Sequence, residues 1–332
     1  MSTTPSPSSA LLQVESLAVH FPMARTSWLQ RGPSPVLQAV SDVSFSIQPG
    51  ETLALVGESG CGKTTLGRAI VGLYAATRGT LRFRGIDIET KDSLARRQAR
   101  QAIQMIFQDP YESLNPRLPV SDVIAEPLVI HGIGNKSERA DRARALIAQV
   151  GLPVDALNRY PHQFSGGQRQ RIAIARALGP EPSLIVADEP LSALDVSIQS
   201  QILNLMTELR EQRALSYLFI SHDLSAVHHL ADRVAVMYLG RLVEVGHRDS
   251  VFAAPSHPYT QALIDAIPRI GQGRRARGRT IAGDLPSPLK PPPGCAFHPR
   301  CPKAQALCKT DAPALLPAIG GGQHLVACHF TT

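Results

Sequence analysis

Gly57-Glu58-Ser59-Gly60-Cys61-Gly62-Lys63-Thr64 has the spacing G-x-x-x-x-G-K-[ST]. Glycines without a Cβ let successive backbone N–H groups turn inward around an anion, and a helix starting there adds partial positive charge. A lysine next to last reaches the β- and γ-phosphates, and the final hydroxyl suits Mg²⁺. Gly57, Ser59, Gly60, Cys61, Gly62, Lys63, Thr64 and Thr65 are therefore expected to cradle a nucleoside triphosphate, with Thr64 on the metal. Cys61 reads as a small loop residue whose place at a helix N-terminus could lower its thiol pKa.

Two further stretches carry compatible chemistry. Leu184-Ile185-Val186-Ala187 is an apolar run ending in Asp188-Glu189. An aspartate at such a strand end can hold Mg²⁺, and the next carboxylate can polarise an attacking water. Phe164-Ser165-Gly166-Gly167-Gln168 precedes a helical run to Leu178. Ser165 is placed as an N-cap, and the glycines leave bare amides at a helix start. This makes a second anion site, through Ser165, Gly167 and Gln168. One nucleotide does not need two cradles in one chain, so two chains facing head to tail are expected, each closing the other's site.

The elements that must position these groups follow from periodicity. Leu11 to Phe21 and Val36 to Ile47 alternate as strands, with Met23 to Pro35 between them as an insertion loop. Thr52 to Val56 is a short strand feeding the Gly-rich turn and a helix over Lys63 to Gly72; Ile103 to Phe107 is another strand. Val120 to Val150 is helical, with breaks at Pro127 and Gly132 to Gly134. Leu184 to Ala187 and Leu218 to Ile220 are continuous apolar runs, as in strands buried on both faces, and Ser197 to Arg210 between them has helical spacing. Strand–helix–strand repetition predicts an α/β fold with a mainly parallel sheet. Val234 to Tyr238 and Arg241 to Val245 read as a hairpin, and Pro258 to Ile267 as a last helix.

Composition bounds the rest. The 332 residues are 43% hydrophobic and 18% charged, with a formal net charge of +7, a globular balance. No apolar run approaches the roughly 18 residues of a membrane span, and Met1 to Ala10, rich in Ser, Thr and Pro, does not read as a secretion signal. A cytosolic location is expected. The run Arg274-Arg275-Ala276-Arg277-Gly278-Arg279 reads as a solvated linker. Cys295, Cys301, Cys308 and Cys328 are separated by five, six and nineteen residues. Four thiolates suffice for an iron–sulfur cluster or a tetrahedral zinc, and His298, His324 and His329 lie close enough in sequence to substitute as zinc ligands.

Taken in order, the P-loop, Phe107-Gln108-Asp109-Pro110, the Ser165 signature, Asp188-Glu189, Ser192-Ala193-Leu194-Asp195 and His222 resemble the ABC ATPase family over about Leu11 to Pro255. The resemblance implies a P-loop cassette with an antiparallel β subdomain and a helical lobe at about 110–178. It implies that Gln108 contacts Mg²⁺ and water and relays motion to membrane subunits. Glu189 is then the general base, His222 contacts the γ-phosphate, Lys63 offsets developing charge, and Asp195 lies at the dimer seam. An aromatic before the cassette stacks on adenine: Phe21, with His20 second. Phe164 stands where the family usually has Leu.

Gly283-Asp284-Leu285-Pro286-Ser287-Pro288, leading to Cys295-Ala296-Phe297-His298-Pro299-Arg300-Cys301-Pro302, is similar to the C-terminal extension of dipeptide and oligopeptide permease ATPases. Thr64 to Arg68, Gln108 to Tyr111 and Asn115 to Arg117 resemble the second of their two ATPase subunits. This implies an ATP-hydrolysing subunit of a peptide importer on the cytoplasmic membrane face, partnered by a second ATPase, two permease subunits and an extracytoplasmic solute-binding protein, with no nucleic acid. In that group four such cysteines can hold a 4Fe–4S cluster. The expected layout is a disordered 1–10, a cassette at 11–255, a helix and basic linker at 256–280 and a Cys-rich module at 281–332. A nickel or other small-solute importer is the near alternative. A soluble repair or translation ATPase is the distant one, and it fits poorly with one cassette and no sustained heptads.

Overall fold

The computed structural model describes residues 10–23, 34–90, 92–266, 283–318 and 322–331. The expected disordered start, most of the insertion loop and the arginine run lie outside them. The chain forms two compact units that interleave along the sequence. One is built from Leu12–Ser46, Leu53–Arg82 and the chain from Ser221 onward, the other mainly from Ile47–Thr52 and Phe83–Ile220.

The first unit opens with β1 (Leu12–Pro22), β2 (Val36–Ile47) and β3 (Thr52–Val56). All five residues of β3 are buried, as its unbroken apolar run requires. Next come α1 (Lys63–Ile70) and β4 (Arg78–Phe83), with strand order β2-β1-β4 in one sheet.

The second unit runs through β5 (Ile86–Asp87), α2 (Ser93–Ala102), β6 (Ile103–Ile106), α3 (Pro110–Ser113), α4 (Val120–His131), α5 (Lys136–Gln149), α6 (Gly166–Leu178), β7 (Leu184–Asp188), α7 (Val196–Arg213) and β8 (Ser216–Ser221). Its strands lie in the order β8-β7-β6. Both pairings are parallel, with Ile106 opposite Ala187 and Asp188 opposite Ile220. Every residue of β7 and β8 is buried.

Pro127 does not break the helical run as expected. It sits inside α4, which continues to a left-handed Gly132. There α4 packs on α6, and a Cβ on Gly179 would lie 3.4 Å from the Pro127 ring. Interhelical packing outweighs the lost hydrogen bond at the proline. The break at Gly132 to Gly134 does occur, and Asn135 then starts α5 with a full capping box.

The first unit resumes with α8 (Leu224–Leu230), β9 (Arg233–Tyr238), β10 (Arg241–His247), α9 (Arg248–Ala253) and α10 (Pro258–Asp265), then α11 (Ala306–Thr310), β11 (Leu316–Pro317) and β12 (Leu325–Val326). β9 and β10 form the expected antiparallel hairpin, with an irregularity between Leu242 and Glu244. β9 also pairs in parallel with β3, Val56 opposite Val236. The C-terminal strand β12 adds antiparallel to β10, which joins the Cys-containing segment to this unit's sheet.

Candidate nucleotide site

The sequence Thr52 to Val56 ends β3 at Gly57, and three glycines then take conformations closed to other residues, with φ of 154° at Gly57, 80° at Gly60 and 108° at Gly62. Clearance is equally tight. A Cβ on Gly57 would lie 2.2 Å from the Met237 carbonyl oxygen, and one on Gly62 2.1 Å from that of Ala39. Gly62 is the N-cap of α1, and no side chain caps this helix. Lys63 is buried, and its Nζ donates to the carbonyls of Gly57 at 2.8 Å and Glu58 at 3.0 Å. Ser59 and Gly60 are exposed, while Thr64 and Thr65 are half-buried. Its glycines and uncapped helix start give this loop a backbone shape able to cradle a phosphate.

Cys61 is a small loop residue as read from the sequence, but the lowered thiol pKa that its position could bring does not follow. Its side chain is buried, and burial pushes its thiol pKa up despite the nearby Lys63 ammonium. Desolvation of the thiolate outweighs the lowering from Lys63 at the helix start.

His222, just past β8, is exposed. With Gly57, Val56, Asp223 and Leu263 it lines a cavity of about 250 Å³. Phe21 packs edge-on against Tyr74, ring centroids 5.2 Å apart, and His20 Nε2 is 3.2 Å from the Ser41 hydroxyl.

In the other unit, parallel register does the positioning. Ile106 pairs with Ala187, and Gln108 and Glu189 each come two residues later. The Gln108 amide therefore reaches Glu189, donating to its carboxylate at 3.1 Å. Asp188, at the end of β7, is buried. Glu189 has a positive φ of 45°, uncommon for a residue with a side chain, and its N–H donates to the Ile220 carbonyl at 2.9 Å. Carboxylate and hydroxyl oxygens of the kind at Asp188 and Thr64 are the ligands a hard Mg²⁺ ion takes.

Ser165 caps α6 as predicted. Its hydroxyl accepts from the Gln168 N–H at 3.4 Å, and the Gln168 side chain accepts from the Ser165 N–H at 3.0 Å. Gly167 has a second reason not visible in the sequence: a Cβ there would lie 2.5 Å from a methyl of Ile198 on α7. Phe164 is buried, with the Arg159 guanidinium 4.4 Å over its ring. Asp195 is the exposed N-cap residue of α7, with no capping bond from its side chain.

An ABC transporter family model matches residues 40–192, and a model of the oligopeptide/dipeptide transporter C-terminal region matches 243–308. The chain is 49% identical over 318 residues to the dipeptide transport ATP-binding protein DppF of Escherichia coli, covering 96% of this chain and 93% of that one. It is likewise 49% identical over 324 residues to the oligopeptide transport ATP-binding protein AppF of Bacillus subtilis, covering 96% and 97%. The chain belongs to the ABC transporter ATP-binding proteins. Among solved structures, a post-hydrolysis dimer of the ATP-binding cassette MJ0796 bound to ADP and Pi aligns with a TM-score of 0.62 at 27% identity, over 71% of this chain and 98% of that one. The cbiO1 cassette of Clostridium perfringens aligns with the same score at 26% identity, over 74% and 92%. The fold is thus the P-loop ABC cassette, with mixed sheets and helices. Among the described residues no helix is long and apolar enough to cross a membrane.

The C-terminal region of this ABC protein is pinned by contacts between residues far apart in the sequence. Arg300 grips the Glu58 carboxylate with two nitrogens, at 2.7 and 2.9 Å. Phe297 packs on Tyr238 and Tyr259 with centroids 5.2 and 5.4 Å apart. Buried Glu244 accepts from the N–H groups of Ser256 and His257 and lies 2.6 Å from His324 Nε2. Burial lowers the pKa of His257 to about 3, so this ring is neutral, and its Nδ1 accepts from the Tyr259 N–H at 3.0 Å.

The cysteines fit a metal only in part. Cys295, Cys301 and Cys328 are each raised in pKa, first by burial and then by neighbouring thiols of the same set, and the Cys295 N–H donates to the Cys308 carbonyl at 2.8 Å. The Phe330 N–H donates to Cys328 Sγ at 3.4 Å. Yet among the described residues no three His, Cys, Asp or Glu side chains are gathered tightly enough to hold a metal ion. The three histidines considered for zinc each place a ring nitrogen on a protein oxygen: His298 on the Cys295 carbonyl, His324 on Glu244 and His329 on the Asp311 carbonyl.

Proposed function

We propose that this chain is the ATP-binding and ATP-hydrolysing subunit of an ABC importer for dipeptides or oligopeptides. The observation that carries the reading is the three-glycine cradle around buried Lys63, in a chain whose relatives are named for peptide transport over nearly their whole length. Adenine stacks on Phe21, and the triphosphate lies along the amides from Gly57 to Thr65, with Lys63 at its end. Thr64, Gln108 and Asp188 would hold Mg²⁺, which when bound would offset charge on the phosphates. Glu189 takes the proton of the attacking water, held in place by the Gln108 amide, while His222 contacts the γ-phosphate. Catalysis is positioning plus electrostatics. A second cassette closes the site with its own signature serine, glycine and glutamine, as Ser165, Gly167 and Gln168 close the partner's, with Asp195 at the seam.

The partner is a related but different ATPase, bound with two permease subunits at the cytoplasmic membrane face and fed by a solute-binding protein. The cassette occupies 11–255 and the Cys-rich module 281–332. Glu189→Gln tests the central role. ATP binding should be retained while hydrolysis falls by about 10²- to 10⁴-fold, read as phosphate release; turnover at the wild-type rate would remove Glu189 from the mechanism. For the module, the finer reading is a 4Fe–4S cluster on Cys295, Cys301, Cys308 and Cys328, supported by the soft four-thiol donor set; binding would have to draw the thiols closer than they stand here. Anaerobically purified protein should be brown and contain iron, and a colourless, iron-free protein refutes it.

A further inference from the structure

The P-loop residue Glu58 has no assigned chemistry, yet four partners engage it. Its N–H donates to the Tyr259 hydroxyl at 2.8 Å, its carbonyl accepts from Lys63 Nζ at 3.0 Å and from the Cys61 N–H at 3.3 Å, and its carboxylate accepts from Arg300 at 2.7 and 2.9 Å. Arg300 lies 242 residues further along the chain, immediately before Cys301. Its side chain is only 6% exposed, against 28% for Glu58. The guanidinium also reaches the Tyr238 hydroxyl at 3.4 Å. Phe297, wedged against Tyr238 and Tyr259, fixes the short turn that carries Arg300. A two-nitrogen grip on a carboxylate sets orientation as well as charge, and it is strongest where water is excluded.

We propose that Arg300 is a positioning residue for the phosphate loop, acting through Glu58 to set the carbonyl that holds the Lys63 ammonium. This rests on the reading of that loop as the ATP site. The consequence is that nucleotide grip depends on the seating of the C-terminal Cys-containing segment. Arg300 is assigned to the loop and not to nucleotide. It fixes one wall of the cradle, as Tyr259 does from the N–H side.

The test is a double-mutant cycle in ATP affinity on the full chain, with Glu58→Gln, Arg300→Gln and the double variant, and with melting temperature followed in parallel. Each single change is expected to weaken ATP binding about tenfold, with the double no weaker than the worse single. In basal ATPase assays KM for ATP should rise with kcat within about twofold, a split that general loosening of the fold would not give. Arg300→Lys, which keeps the charge but loses the fork, should fall between wild type and Arg300→Gln. Wild-type affinity in Arg300→Gln, or losses that simply add in the double, overturns the proposal. If Arg300→Gln does not fold, unchanged affinity in both Arg300→Lys and Glu58→Gln does so instead. Lys63→Ala separates the two levels. If it loses ATP while the Arg300 variants keep it, only the positioning role fails. If it keeps wild-type affinity, the ATP-site reading fails and takes the positioning role with it.

Discussion

Two glycine-rich helix starts, at α1 and α6, look alike in sequence and differ in what their glycines do. At α1 the glycines hold positive φ, and a Cβ would strike backbone carbonyls of Met237 and Ala39, which cannot step aside. At α6 neither Gly166 nor Gly167 has a positive φ; a Cβ on Gly166 would make ordinary contact with Leu194, and the atom in the way at Gly167 is a side-chain methyl of Ile198. The caps differ too. α1 begins on a glycine with no capping side chain, whereas α6 begins on a serine locked in a reciprocal box with Gln168. The first start is shaped by conformation, the second by clearance and capping. One residue type therefore predicts different tolerance at the two places.

Gly62→Ala should show the largest effect. Strain at φ 108° and a carbonyl at 2.1 Å act together, and a loss of about 3 kcal/mol in denaturant unfolding is expected, with nucleotide binding abolished. Gly167→Ala should destabilise by about 1–2 kcal/mol. Pairing it with Ile198→Ala should recover most of that, because the obstruction is a side-chain methyl. Failure to recover would mean that the α6 glycines are also held by conformation, and the contrast would dissolve. Ser165→Ala should have the smallest effect on stability, about 1 kcal/mol from the lost cap. ATPase activity of the assembled transporter, measured beside it, sharpens the comparison. A loss of turnover much larger than the loss of stability is expected if the hydroxyl also serves a neighbouring cassette.

Much of the site is legible in the sequence. The run Thr52 to Val56 reads as a strand because a glycine-rich P-loop pattern follows it, and that pattern reads as a turn into a helix. Parallel strands at Ile103 and Leu184 are legible from their apolar runs. That Gln108 meets Glu189 needs the register, which no local pattern encodes. α2 escapes because of its ten residues only Ala99 is buried, leaving no apolar stripe to read. Pro127 misleads because its neighbour across the helix interface is invisible in the sequence. The Cys61 thiol misleads because the sequence displays the helix terminus but not the burial that outweighs it. Arg300 is out of reach altogether: a lone arginine in a Pro- and Cys-rich segment carries no mark of a partner so far away in sequence.

Buried Cys61 also provides a clock. A thiol that sits 1% exposed inside the loop can be alkylated only when that loop opens, so its labelling rate measures how often the loop breathes. In protein stripped of metal with a chelator, half-buried Cys301 and Cys328 should label sooner and serve as an internal reference. Followed by mass spectrometry, the slow cysteine would time the opening of the cradle in the intact chain without any probe attached to it.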